Sequence, residues 1–566
     1  MNKSIILPLF LLFGLSAVAA NPTGEIKVDQ AGYLPGSPKL AMVATSPPAS
    51  EFQVRRAGDG SVAFSGRLSM PARDHDSGDN VQTADFTDLH ASGRYYIEAP
   101  GVGRSWDFDI GPDTFAHAFY LAMRSFYGQR CGTAVDLGSE FPGFSHPPCH
   151  MHPEYHESSG KTGPANMLGG WHDAGDYGRY IVNSGITTGT LMWTWELFGP
   201  RVAKVNLQIP ESGNGTPDLL NEVRWNLEWM LSMQDADGGV WQKQVSDQFC
   251  GFVPPDKDPL IPYVIGTGKP PYKSSCATAD FAAVMANASR VYAPFDAAFA
   301  HRALDAARRA WVWVDKYPNV LFRNPPGVHT GEYADSDCGD ERLWAAAELW
   351  RTTREKTYES WFLAHYDEYL NTIRPVRPQD WEYVAPLAMW TWVLGGGKDP
   401  AAKIIRDRTA LAADQIVERS AHNGYRVSLV PTDYVWGSNG IAANYGVELI
   451  VANVLHADAR YVNAAMDNLH YLLGRNTFSL SWVTWVGENA YRHPHHRPSA
   501  SLAAPWPGLL SGGPNADRED QVLRALPHLP PAKIYVDSQD SYASNEIAIN
   551  WNAALVFVLA STLPAK

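Results

Sequence analysis

"PDLLNEVRWNLEWMLSMQ" (Pro217–Gln234) places Leu219, Leu220, Val223, Leu227, Met230 and Leu231 on one face at helical spacing. Pro217 and Asp218 suit a first helical turn, so the stretch predicts an amphipathic helix. The same texture recurs downstream, in "DFAAVMANASRVY" (280–292), "ALDAARRAWVWVDKY" (303–317), "ERLWAAAELWRTT" (341–353) and "NEIAINWNAALVFVLAS" (545–561). Between these segments lie long loops rich in Gly, Pro, Trp and His, the kind of element that carries sites on a helical frame. Upstream of about residue 110 the period changes. "KLAMVAT" (39–45), "EFQVRR" (51–56), "SVAFSGRL" (61–68), "GRYYIEAP" (93–100) and "RSWDFDIG" (104–111) alternate apolar and polar residues between Gly, Pro, Asp and Ser. A small antiparallel β-sandwich over 21–110, followed by a mainly α domain over 111–566, is the predicted organisation. No exact repeat and no low-complexity tract interrupts it.

The chain has 566 residues, too many for one small core. Its 20 Trp, 25 Tyr and 21 Phe fill cores and also suit stacking against flat, partly apolar ligands. A formal charge of −14 argues against nucleic acid or an anionic membrane, which need a basic footprint, and favours a neutral ligand. Residues 1–20, "MNKSIILPLFLLFGLSAVAA", have Lys3, an apolar run and an Ala-x-Ala-like end at Ala17, Ala19 and Ala20. That pattern predicts a signal peptide, with a secreted or periplasmic monomer as the mature protein. Five cysteines, Cys131, Cys149, Cys250, Cys276 and Cys338, are too few for a disulfide scaffold, and an odd number leaves one thiol over.

Several chemistries lack their parts. "SSGKTG" (158–163) has Tyr155 where a phosphate loop needs its leading glycine, and no strand is followed by G-x-G-x-x-G. Neither an H-E-x-x-H helix nor a G-x-S-x-G elbow occurs. Carboxylates among aromatics remain. "GGWHDAGDYGRY" (169–180) offers Asp173 and Asp176, and "DSQDSYASNEIAINWN" (537–552) offers Glu546 at the head of an apolar helix. Cleaving a glycosidic bond needs one protonated carboxyl to help the leaving oxygen and one ionised carboxylate to activate water or attack the sugar. Taken singly, each acidic residue also suits a helix cap.

In order along the chain, "GGWHDAGDYGRY", "HPHHRPS" (493–499) and "SYASNEIAINWNA" (541–553) resemble glycoside hydrolase family 9, the inverting cellulases. The resemblance covers nearly the whole mature chain. The opening "IKVDQAGYLPGSPKLAMV" (26–43) resembles the immunoglobulin-like module that precedes the catalytic domain in one branch of that family. The likeness implies a six-hairpin (α/α) barrel with its cleft at one end, acting on cellulose or a related β-glucan by internal cuts. It casts Asp176 as general base, Asp173 as a second holder of the attacking water and Glu546 as general acid. His495, Arg497 and Tyr542 would contact sugar. "YVWGSN" (434–439) resembles cleft wall, although Trp436 suits a core equally well, and Trp485 in "SWVTWVGEN" (481–489) stands where the family often has Gly. Alternatives on the same fold are action from chain ends, for which "FCGFVPPDKDPLIPYVIGTGKPPYK" (249–273) would block one end of the cleft, and other β-glycans: mixed-linkage glucan, xyloglucan or glucosamine polymers. A non-catalytic carbohydrate binder has no need of the separated acid and base.

Metals enter through the same likeness; the chemistry itself needs no cofactor. Cys131, Cys149, His150 and His172 are two thiolates and two imidazoles that suit tetrahedral zinc, while by chemistry alone a Cys131–Cys149 disulfide competes. The resemblance implies a structural zinc there, pinning the loop that bears Asp173 and Asp176. "PESGNGTPDLLNE" (210–222) resembles a calcium loop with Glu211, Asn214, Asp218 and Asn221, where Asn221 replaces the usual Asp. A second acidic group, Asp335, Asp337, Asp340 and Glu341 with Asp380 more distant in sequence, offers calcium another set of oxygens, or serves a helix dipole.

Overall fold

The structure is a computed structural model that describes residues 21–565; the leader-like residues 1–20 lie outside the described residues. Ten strands come first: β1 (Ile26–Lys27), β2 (Gly32–Tyr33), β3 (Leu40–Val43), β4 (Glu51–Arg56), β5 (Val62–Arg67), β6 (Ala72–Arg73), β7 (Asn80–Asp85), β8 (Gly93–Ala99), β9 (Gly103–Arg104) and β10 (Phe108–Ile110). They form two sheets, β1-β3-β7-β6 and β2-β10-β8-β4-β5 with β9 beside β8. Pairing is antiparallel except for β10 with β2, which closes the second sheet in parallel. The facing residues, among them Ile26, Val28, Tyr33, Phe52, Val54, Ile97 and Phe108, form a closed core of their own. Period-2 alternation marks five of these strands; β7, "NVQTAD", is polar at four of six positions and carries no such signal.

Among the described residues twelve α-helices longer than a single turn follow. They are α1 (Ala116–Gly128), α2 (Ile181–Val202), α3 (Asp218–Ser232), α4 (Ser275–Tyr292), α5 (Ala297–Lys316), α6 (Gly339–Thr353), α7 (Lys356–His365), α8 (Ala385–Leu394), α9 (Pro400–His422), α10 (Ser438–Leu455), α11 (Ala459–Leu472) and α12 (Ile549–Thr562). Five are hairpins of consecutive helices, α2–α3, α4–α5, α6–α7, α8–α9 and α10–α11, and α1 packs on α12 to complete the sixth pair. The even-numbered helices pack α2 on α4, α4 on α6, α6 on α8, α8 on α10, α10 on α12 and α12 on α2, a closed inner ring. Sequence explains which helices lie inside. In α4 and α12 nearly every residue is buried, and small residues such as Ala279, Ala282, Ala283, Ala286 and Ala553 let neighbours approach. α5 buries one stripe, Phe299, Ala303, Ala306, Ala310 and Val314, as an outer helix should. Among the described residues no helix is long and apolar enough to cross a membrane.

The inner helices all begin at one end of the ring, and the long loops gather there. Asp173 and Asp176 precede α2, Tyr333 and Asp335 precede α6, Trp436 precedes α10 and Glu546 precedes α12. Buried polar contacts dock the β-sandwich on the barrel. Asp29 Oδ2 lies 2.7 Å from His470 Nδ1, Gln30 Nε2 donates to Ser479 O (3.0 Å), and Asp79 accepts from Tyr425, Thr477 and Lys533 at 2.6–2.7 Å. A disulfide, Cys276–Cys338, joins the start of α4 to the residue before α6.

Candidate active site

The loop before α2 is fixed from several sides. His172 N–H donates to Gln129 O, and Trp171 Nε1–H donates to Glu222 at 2.8 Å. Asp173 N–H donates to Gly178 O, which folds 173–178 into a tight turn. Asp173 accepts from Asn183 Nδ2 on one oxygen (2.7 Å) and from the Tyr333 hydroxyl on the other (2.6 Å). Burial, followed by the neighbouring Asp176 charge, pushes its carboxyl up to about 7. Asp176 Oδ2 accepts from Gly178 N–H (3.0 Å) and the Tyr180 hydroxyl (3.1 Å), and among the described residues nothing donates to its other oxygen.

Glu546 arrives from the far end of the chain. Short bridges pair Ala174 with Ala548, His495 with Glu546 and Ser511 with Ile547, while Ile549 N–H donates to Asp173 O. Glu546 Oε1 accepts from Gly175 N–H at 3.3 Å, directly beside the Asp176 turn. Burial first, then the Asp176 carboxylate, push the Glu546 carboxyl well above the usual range, so it holds a proton where Asp and Glu are normally ionised. Gly175 makes this approach possible: a Cβ there would sit 2.0 Å from His495 O and 3.1 Å from Glu546 Oε1.

The expected sugar contacts gather around the same turn. Arg497 donates from Nη1 to Gly175 O (2.8 Å) and from Nε to Cys250 O (3.1 Å), which leaves Nη2 for another acceptor. His495 Nδ1–H donates to Gln539 O, and burial lowers its pKa, so the neutral ring offers Nε2 as acceptor. Trp436 is 41% exposed, with its ring centroid 5.2 Å from that of Tyr542, so it is not core. Trp485 has φ +66°, a left-handed backbone that suits glycine, and its exposed ring meets Phe141 and Phe144 edge-on. Three participants carry no sequence signal. Tyr333 and Asn183, which hold Asp173, come from other elements, and Phe252, whose ring lies 5.0 Å from that of His495, comes from the 249–273 insertion.

Behind the turn, Cys131, Cys149, His150 and His172 converge with their ligand atoms all within 4.8 Å of one another. The separations are 4.0 Å between the sulfurs, 3.6 Å from Cys131 Sγ to His150 Nδ1 and 3.8 Å from Cys149 Sγ to His172 Nε2. The two cysteines are not bonded to each other. Tetrahedral zinc, with bonds of ~2.3 Å to sulfur and ~2.0 Å to nitrogen, spaces its ligands about 3.5–3.8 Å apart, so the donor set fits.

The residues of the two calcium expectations have different partners. Glu211 is committed as the bidentate partner of Arg130 (2.9 Å on each oxygen), and Asn221 Nδ2 donates to Asn214 Oδ1, Thr216 O and Glu211 O. Asp218 Oδ2 accepts from Ser212 and from Leu207 N–H. This loop closes on the amide of Asn221, with Glu211, Asn214, Asp218 and Asn221 brought together at the head of α3. At the head of α6 the donors do suit a cation. Glu341, with both oxygens unpartnered, and Asp335, with one, are buried beside Asp340, and Asp280 of α4 joins them with both oxygens unpartnered. Asp337 accepts from Gly339 N–H and Tyr369, and Asp380 accepts from Glu382 and Tyr383 N–H.

A closed ring of helical hairpins with paired carboxyls at one end has the parts a glycoside hydrolase needs. Comparison with known proteins agrees. The family description of glycosyl hydrolase family 9 matches residues 115–559, and that of the cellulase N-terminal ig-like domain matches residues 21–104. The chain belongs to glycosyl hydrolase family 9. It is 37% identical over 544 residues to Endoglucanase D of Acetivibrio thermocellus, covering 95% of this chain and 83% of that one. It is 35% identical over 573 residues to a xyloglucan-specific endo-beta-1,4-glucanase of Bacteroides ovatus, covering 96% and 94%. Among solved structures it superimposes on a Zn-binding triple mutant of the family 9 endoglucanase J30 with TM-score 0.88 at 35% identity, covering 94% of this chain and 100% of that one.

Proposed function

We propose that this enzyme is an exported endo-β-1,4-glucanase that cleaves cellulose or a related β-glucan with inversion. The observation that carries the reading is the placement of Asp176 and Glu546 on either side of Gly175, the first with an oxygen free of protein donors among the described residues and the second with its carboxyl pushed well above the usual range by burial. Water held at the free oxygen of Asp176 gives it a proton and attacks the anomeric carbon. Glu546 passes its proton to the departing glycosidic oxygen as the bond breaks. Asp173, fixed by Asn183 and Tyr333, orients that water with its remaining lone pairs. Arg497 Nη2 and His495 Nε2 supply a donor and an acceptor for sugar hydroxyls, and Trp436 and Tyr542 offer ring faces to the sugar.

Zinc on Cys131, Cys149, His150 and His172 would be structural, a closed four-ligand site that anchors the turn through His172. Calcium on Asp280, Asp335, Asp340 and Glu341 would neutralise the buried carboxylates between α4 and α6. The leader-like residues 1–20 support export. Phe249 and Phe252 pack against Arg497, so the 249–273 insertion lines the cleft, and this favours a second reading in which the enzyme works from chain ends.

Glu546→Gln and Asp176→Asn test the roles. Each should lower kcat by ~10²- to 10⁴-fold while oligosaccharide binding, read by calorimetry, stays within a few-fold of wild type. Near-normal turnover in either variant refutes its assignment.

A further inference from the structure

The 249–273 insertion touches the site at more points than its exposed position requires. Cys250 O accepts from Arg497 Nε (3.1 Å), and the Phe249 and Phe252 rings lie 5.5 and 5.4 Å from the Arg497 guanidinium carbon. Phe252 also meets His495 edge-on, and Val253 O accepts from the Tyr177 hydroxyl of the catalytic turn (2.5 Å). Phe249 and Phe252 are 48% and 37% exposed, so their own packing does not fix the segment. What does fix it lies five residues further on. Asp258 Oδ2 is 3.2 Å from His150 Nε2, the two side chains are 4% and 3% exposed, and Asp258 Oδ1 accepts from Leu260 N–H (3.0 Å). His150 turns its other nitrogen, Nδ1, to the Cys131 sulfur.

We propose that Asp258 is a positioning residue: by accepting the Nε2–H of His150 it ties the segment 249–258, and so the grip of Arg497 and His495 on the sugar, to the four-residue metal set. A histidine that faces a metal with one nitrogen needs its other N–H accepted to hold its tautomer and ring plane, and a carboxylate does this best. The set then anchors both flanks of the cleft: His172 holds the catalytic turn, and His150 with Asp258 holds the insertion that packs on Arg497. Losing the tie leaves Asp176 and Glu546 in place but frees the residues that hold substrate, so KM should move and kcat should not.

This inference rests on the zinc reading, and the experiment separates the two. Asp258→Ala and Asp258→Asn are made in the full chain, zinc is measured by elemental analysis, its retention is followed against a chromogenic chelator, and kcat and KM are measured on a cello-oligosaccharide. Asp258→Ala should give zinc up at ~10- to 100-fold lower chelator concentration, and raise KM about tenfold with kcat within about twofold. Asp258→Asn keeps a carbonyl acceptor and should recover most of both. Wild-type KM and zinc retention in Asp258→Ala, or equal losses in the two variants, overturn the proposal. If Asp258→Ala does not fold, Asp258→Ser is read in its place with the same outcomes. A zinc-free wild-type chain in which Asp258→Ala still raises KM overturns the metal assignment and supports the tie.

Discussion

In the proposed mechanism two carboxyl groups of one chemical type do opposite work because their surroundings differ. Glu546 has one backbone donor and sits in a buried setting close to the Asp176 charge, which pushes its carboxyl well above the usual range; Asp176 instead accepts from Gly178 N–H and the Tyr180 hydroxyl. The sign of the pH dependence follows. A general acid acts while protonated, so kcat/KM holds below the raised pKa of Glu546 and falls as pH climbs through it. The charges of Asp176 and, to a smaller extent, Asp173 both push that pKa up. Asp173→Asn removes one of them and should move the alkaline limb of the kcat/KM profile to lower pH, as well as lowering kcat. An alkaline limb that stays where it was would mean that Glu546 is not the group titrating. At this scale much is legible: Asp173, Asp176 and Glu546 stand in motifs whose order along the chain carries the likeness. Tyr333, Asn183 and Asp258 are not legible, because a lone Tyr, Asn or Asp carries no local pattern and gains its role only when folding brings it to a partner 160, 10 or 108 positions away.

The elements that hold these residues are short turns at the heads of inner helices. Gly175 shows how little room they have: His495 O and Glu546 Oε1 crowd the position that its missing Cβ would occupy. Gly175→Ala cannot be absorbed by a side chain, since the first atom met is backbone, and should cost ~10²-fold in kcat/KM by spreading the acid and base apart. Gly36 is the control that should tolerate Ala, because a Cβ there would meet nothing within 4 Å and its backbone is not left-handed. Equal activity in the two variants would show that the turn is looser than these distances require. Helix identity is legible from the 3.6-residue period in α3 to α6 and α12, because each packs a continuous apolar face. Loop chemistry is less so. The 210–222 loop has the composition of a cation site, and composition does not announce that Arg130 and the Asn221 amide also meet its oxygens.

At the scale of the molecule, the β-sandwich is part of the barrel's support. Asp29 and Gln30 meet barrel residues through buried hydrogen bonds and Asp79 through half-buried ones, and Asp76 accepts from the Tyr434 hydroxyl two residues before Trp436. Removing residues 21–110 would expose His470, Tyr425 and Tyr434 without their partners, a cost per buried polar group of about 1–3 kcal/mol. The truncated chain should be recovered insoluble, and a soluble, fully active truncate would show that the module is dispensable. The two-part organisation is legible from the change of period near residue 110, but the closure of the ring and the docking of the module depend on contacts hundreds of residues apart and reach the sequence reading only through family likeness.

The central claim is that Asp176 and Glu546 act on opposite faces of one sugar through a single water. A proton NMR time course with a defined cello-oligosaccharide reads this directly, from the anomer of the first products together with their lengths. The account predicts fresh α-anomer released from the β-linked chain by internal cuts. Fresh β-anomer would contradict it, since retention requires a carboxylate to attack the sugar itself.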